Sequence, residues 1–121
     1  RDFNFVSDTC SAFINLLENE NVLGKVINSS SNFEISIEKT ALIIAKIMNV
    51  DINIRSEENR LRPSNSEVDR LFGDNQLLKE LTSWEPEYAG LNGFEKGLSI
   101  TIDWFSDPTN LSRYNNNSYQ I

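Results

Sequence analysis

Arg60 and Arg62 stand two positions apart in the irregular segment Arg60-Leu61-Arg62-Pro63-Ser64-Asn65-Ser66-Glu67. A guanidinium offers a planar fork of N–H donors that matches phosphate oxygens, so such a pair can clamp a phosphate group. Glu67 beside them can accept hydrogen bonds from sugar hydroxyls. The ordinary alternative is a set of surface ion pairs with Glu57, Glu58 and Asp69, and composition alone favours it. Arg1 carries the same chemistry at the start of the chain. It matters only if preceding residues hold it in a cleft, since a terminal arginine is otherwise simply solvated.

Other chemistries are excluded or unsupported. The 121 residues contain no histidine and one cysteine, Cys10. Ser-His and Cys-His nucleophilic sites are therefore impossible within this chain, and four soft zinc ligands cannot be assembled. No pair of acidic residues stands out as a catalytic or metal-binding constellation, so neither catalytic nor metal-ligating residues are assigned. The glycines at 24, 73, 90, 93 and 97 form no phosphate-binding array. A lone cysteine makes no internal disulfide, which suits a reducing cytoplasm. At its place in the first helix it reads as a small buried side chain. The net charge of −7 argues against nucleic acid as a partner. No apolar run approaches the roughly 20 residues that span a bilayer, so no membrane partner is expected.

The elements that would position these groups follow from spacing. Residues 2–6 read as extended, running into a helix capped by Ser7 or Asp8, with Phe13, Leu16 and Leu17 at helical intervals. Residues 25–29 suit a short strand. Ser36 is a good N-cap for a helix over 37–49, whose apolar stripe is Ile37, Ala41, Ile44 and Met48. Residues 51–55 alternate polar and apolar as a strand does, which predicts a right-handed parallel βαβ unit. Val68, Leu71 and Phe72 would tie the following segment to the core. Asp74 caps a short helix bearing Leu77, Leu78 and Leu81, which ends at Trp84-Glu85-Pro86. A last helix over 92–105 carries Phe94, Leu98, Ile102 and Phe105. Trp84 and Trp104 read as core or boundary residues. The fold class predicted is mixed α/β and helix-rich, with about four helices around the short βαβ unit. Residues 1–111 would form one domain and residues 112–121 an extended or mobile tail.

Four stretches in this order resemble the carboxy-terminal part of the extended short-chain dehydrogenase/reductase family, the NAD-dependent nucleotide-sugar epimerases and dehydratases. Arg1-Asp2-Phe3 with Val6 and Asp8 looks like R-D-F-x-x-V-x-D. Val26-Ile27-Asn28-Ser29-Ser30-Ser31-Asn32-Phe33-Glu34-Ile35-Ser36 looks like V-F-N-I-G-S-G-x-E-I-S. Arg62-Pro63, Ser66-Glu67-Val68 and Gly73-Asp74-Asn75 look like R-P-x-x-S-E-V…G-D-N. Leu81 to Tyr88, with Gly97-Leu98 and Thr101-Ile102-Asp103-Trp104-Phe105, looks like L-x-G-W-x-P-x-Y…G-L-x-x-T-I-x-W-F. Details of the loop and tail are most similar to 4,6-dehydratases acting on an N-acetylglucosamine nucleotide in legionaminic-acid-type pathways. Departures are Ser30 and Asn32 in the turn and Ser83 before Trp84, where the family favours glycine.

The resemblance implies a substrate-binding domain whose parent is an NAD-dependent nucleotide-sugar 4,6-dehydratase of the cytoplasm, in polysaccharide biosynthesis. NAD and the YxxxK catalytic groups would belong to an amino-terminal Rossmann domain absent from this chain. That domain and a nucleotide-diphosphate sugar are the implied partners, and the whole parent would be a homodimer. Arg1 and Arg62 match the two arginines that bracket the diphosphate, and Glu67 a carboxylate near the ribose. Asp8 is implied to be structural, at the turn into the first helix. The chain alone would be inactive. The alternatives are the same domain from a 4-epimerase or a UDP-glucuronate decarboxylase, and a free-standing interaction module.

Overall fold

A computed structural model describes residues 1–55, 68 and 70–114. The described helices are α1 (Val6–Leu17), α2 (Ile37–Met48), α3 (Gln76–Thr82), α4 (Gly90–Ser106) and α5 (Pro108–Leu111), with a 3₁₀ turn at Glu20–Val22. No strand is present among the described residues, and the predicted parallel βαβ unit is not formed. The one isolated bridge pairs Asp2 with Glu34, and it is antiparallel.

The reason is a missing partner rather than a wrong local propensity. An extended segment becomes a strand only when a neighbouring backbone takes up its N–H and C=O groups. Apart from a local turn bond from Lys25 N to Val22 O (3.1 Å), residues 25–29 and 51–55 find none among the described residues. Most of their apolar side chains face outward: Val26 is 92% exposed, and Ile52 and Ile54 are nearly half exposed, with Ile27 alone packed against the core. The first segment does find a partner. Ile35 N donates to Arg1 O (2.9 Å) and the Arg1 main-chain nitrogen donates to Ile35 O (2.6 Å).

The core divides into two clusters. Ala12, Leu78 and Trp84 pack where α1 meets α3, with Leu16 and Ile27 at the edge. Ile35, Ile43 and Phe94 pack where α2 meets α4, flanked by Phe33, Ile47 and Leu98. Within α2, Ile43 and Ala45 are buried and Ala41, Ile44 and Ile47 half-buried, whereas the predicted ends of the stripe, Ile37 and Met48, are exposed. A periodic pattern finds an apolar face, but only the neighbour decides which edge of a broad stripe is covered. Val68, Leu71 and Phe72 are also exposed, so their side chains do not anchor the segment to the core as expected.

Helix ends show which local rules prevailed. Ser36 caps α2 by accepting Lys39 N (3.1 Å), as expected. α1 instead begins at Val6 with no side-chain cap. Asp8, already inside its first turn, is 5% exposed and receives Glu87 N (3.0 Å) and Tyr88 N (2.9 Å). It is structural, yet it holds the turn before α4 rather than its own helix start. Ser83, where glycine was expected, ends α3 with φ 59°, and Asn32 carries φ 53° in the first turn. Left-handed backbone is therefore required at both places, and Ser83 adopts it with a strain glycine would avoid.

Trp84 is buried, and its Nε1 donates to Ser11 Oγ (2.8 Å). Trp104 differs: it is 42% exposed and contacts the rings of Phe105 and Tyr114. Cys10 is exposed on α1 rather than buried.

Candidate anion-binding site

The site grows from Asp2, which joins three segments far apart in sequence. Its Oδ1 accepts Ser31 N (3.0 Å) and Ser31 Oγ (2.6 Å), and its Oδ2 accepts Gly73 N (3.0 Å). Carboxylate acceptors of main-chain N–H groups make stronger bonds than neutral ones. Asn75 adds a buried bond to Ser30 O (2.8 Å), and Asn4 reaches Ser29 O (2.8 Å). Gly73 is required by contact: a Cβ there would lie 2.4 Å from Ser30 Cβ. These five bonds align the first residues, the turn at 29–32 and the segment entering α3.

Once Asp2 is fixed, alternation along the extended chain carries Arg1 to its neighbour's opposite side. The Arg1 guanidinium donates to Val68 O (2.7 Å). Next to it, Arg70 forms a two-pronged contact with Glu34, Nε to Oε2 at 2.9 Å and Nη2 to Oε1 at 2.7 Å. Arg1, Glu34, Ile35, Ser36 and Arg70 line one surface cavity of about 270 Å³. The hydrogen bond from Arg70 holds the Glu34 carboxyl below the usual carboxylate range; partial desolvation works against this, and the charge of Arg70 adds to it. Arg70 is correspondingly pushed up by its bond to Glu34. Two guanidiniums and one carboxylate thus share a cavity that opens beside the N-terminus of α2.

Of the residues singled out in sequence, Arg1 is in this cavity. Arg62 and Glu67 lie outside the described residues, as do Arg60 and the rest of 56–67, residue 69 and residues 115–121 of the tail. The pair Glu34 and Arg70 escaped sequence reasoning. They are separated by 36 positions, and neither spacing nor residue type links them. Arg70 was hidden among the acidic neighbours of its own segment.

No cluster of three or more metal-ligating side chains occurs among the described residues. No described helix is long and apolar enough to cross a membrane. No protein-family model matches the chain, and no solved structure matches it significantly.

Proposed function

We propose that this chain is the substrate-binding part of an NAD-dependent nucleotide-sugar 4,6-dehydratase, with the cavity beside Arg1 receiving the nucleotide diphosphate. The observation that carries the reading is the bond from the Arg1 guanidinium to Val68 O, 2.7 Å. It joins the first residue to Val68, 67 positions away and next in sequence to Glu67; Arg62 and Glu67 themselves lie outside the described residues. The cationic groups suit a diphosphate, whose charge one arginine alone offsets poorly.

A second domain is part of this reading. Val6, Phe13, Ile14 and Leu17 of α1 are all more than half exposed, and Leu23 is 79% exposed. Phe13, Leu16, Leu17, Val22 and Leu23 line one apolar groove of about 290 Å³. Exposed apolar surface of this kind marks a contact face, here assigned to the NAD-holding Rossmann domain. The parent would act in the cytoplasm, and the present chain alone would turn over no substrate. By this reading the parent oxidises the sugar at C4 with NAD, removes water across C5 and C6, and returns the hydride to C6. This chain supplies binding, orientation and exclusion of water.

The test is titration of a UDP-sugar and a GDP-sugar into the ¹⁵N-labelled chain, with Arg1→Ala and Arg62→Ala as controls. The expected result is shifts at residues 34–36 and 60–70 that weaken about tenfold in either variant, the loss of one charge-assisted contact. Shifts that are the same in both variants as in the wild type overturn the reading.

A further inference from the structure

Glu34 and Arg70 have no role in the clamp so far described, yet they form the best-aligned charged contact of the cavity. The Arg70 fork is filled by both oxygens of one carboxylate. A phosphate presents the same pair of oxygens at the same spacing to a guanidinium. The contact is also exposed, with the Arg70 side chain 71% and the Glu34 side chain 38% accessible. Exposed ion pairs are weak, and breaking one shifts an equilibrium by about fivefold at most.

We propose that Arg70 is an additional phosphate-binding residue of this site, and that Glu34 is an internal stand-in occupying its fork until an anion arrives. The proposal rests on the reading that this face receives a diphosphate. It goes further by naming a residue outside the expected clamp, and an internal competitor. An arriving phosphate takes over the two N–H donors of Arg70 while Glu34 turns into water. Glu34 cannot leave the neighbourhood, because its backbone is held in the bridge with Asp2. Its carboxylate therefore keeps repelling the bound anion at close range, so the carboxylate sets an affinity ceiling and rejects weakly charged anions. A diphosphate, with more than one negative charge, competes for Arg70 better than a monoanion does. Ser36, the cap of α2, lines the same cavity, so the positive end of that helix favours the incoming charge over a neutral group.

The same geometry predicts opposite effects from neighbouring substitutions. Arg70→Ala removes the fork, whereas Glu34→Gln removes the competitor and leaves the cations. Both side chains are exposed, so neither change removes core packing. Circular dichroism and a thermal melt check that each variant is folded.

The experiment is titration of inorganic pyrophosphate into the 121-residue chain, followed by amide and arginine side-chain NMR. The expected result is about tenfold weaker binding in Arg70→Ala and up to about fivefold tighter binding in Glu34→Gln. Arg70→Lys, which keeps the charge but loses the fork, is expected to fall between wild type and Arg70→Ala. Unchanged binding in Arg70→Ala, no tightening in Glu34→Gln, or no pyrophosphate binding at millimolar concentration overturns the proposal. Parallel titration with a UDP-sugar separates the two ideas. Sugar-nucleotide binding that depends on Arg62 but ignores Arg70 and Glu34 overturns this inference and leaves the functional reading standing. Pyrophosphate binding that depends on Arg70, with no added affinity from the nucleotide and no dependence on Arg62, does the reverse.

Discussion

Asp8 and Glu34 are both carboxylates that join distant segments, and they sit in opposite surroundings. Asp8 is buried and accepts two main-chain N–H groups, those of Glu87 and Tyr88. Glu34 is exposed and meets the exposed guanidinium of Arg70. The first contact is permanent, because losing it strands two amides away from water. The second is exchangeable, because water or another anion can replace either partner. One carboxylate builds the fold and the other leaves a site open to ligands.

The largest effect that sharpens this contrast is expected at the buried end. Asp8→Ala should destabilise the chain by about 3 kcal/mol, since two amides lose a charged acceptor. Urea melts measure it, and Asp8→Asn, which keeps an acceptor, should recover part of the loss. A change below the error of the melt would place Asp8 in the exchangeable class. Next comes the Asp2 junction. Gly73→Ala drives a Cβ to 2.4 Å from Ser30 Cβ, at a cost of about 2 kcal/mol. Adding Ser30→Gly should remove most of that cost in a double-mutant cycle. Failure of the second change to compensate would show that the close approach is not what Gly73 serves.

Smaller still is Trp84→Phe, which loses the Nε1 bond to Ser11 and some packing beside Leu78. About 1 kcal/mol is expected by thermal melt, with α1 and α3 loosening together in hydrogen exchange. The smallest effect belongs to Glu34. Its pKa is depressed in the folded chain, first by the bond from Arg70. The pair's contribution is therefore present above the ordinary glutamate value of about 4.3 and is lost as pH falls through the lower folded value. An NMR titration of the Glu34 carboxyl carbon should show a midpoint below that ordinary value, returning to it in Arg70→Ala. A midpoint unmoved by Arg70→Ala would mean that the pair does not persist in water.

Much of the site was out of reach of sequence reasoning for the same reason that separates Asp8 from Glu34. Ser36 was legible as a cap because capping depends on local chemistry, whereas Arg1 was singled out only by the family resemblance, its type and position reading as a solvated terminus. Glu34 and Arg70 were not, since their pairing is made by the Asp2 junction and has no signature along the chain. Asp8 was recognised as structural by resemblance, but its partners at Glu87 and Tyr88 are 79 and 80 positions away. Cys10 was misread because helical spacing places it on a face without saying whether anything covers that face.

Sequence by itself determined α1 to α4 in outline, the cap of α2, and the absence of histidine chemistry. Each depends on a few consecutive residues, whose propensities and hydrogen bonds act locally. Tertiary structure alone decided that the extended segments form no sheet, which edge of α2 is buried, and which carboxylate meets which cation. Those outcomes depend on partners supplied from elsewhere in the chain, and no local preference encodes a partner.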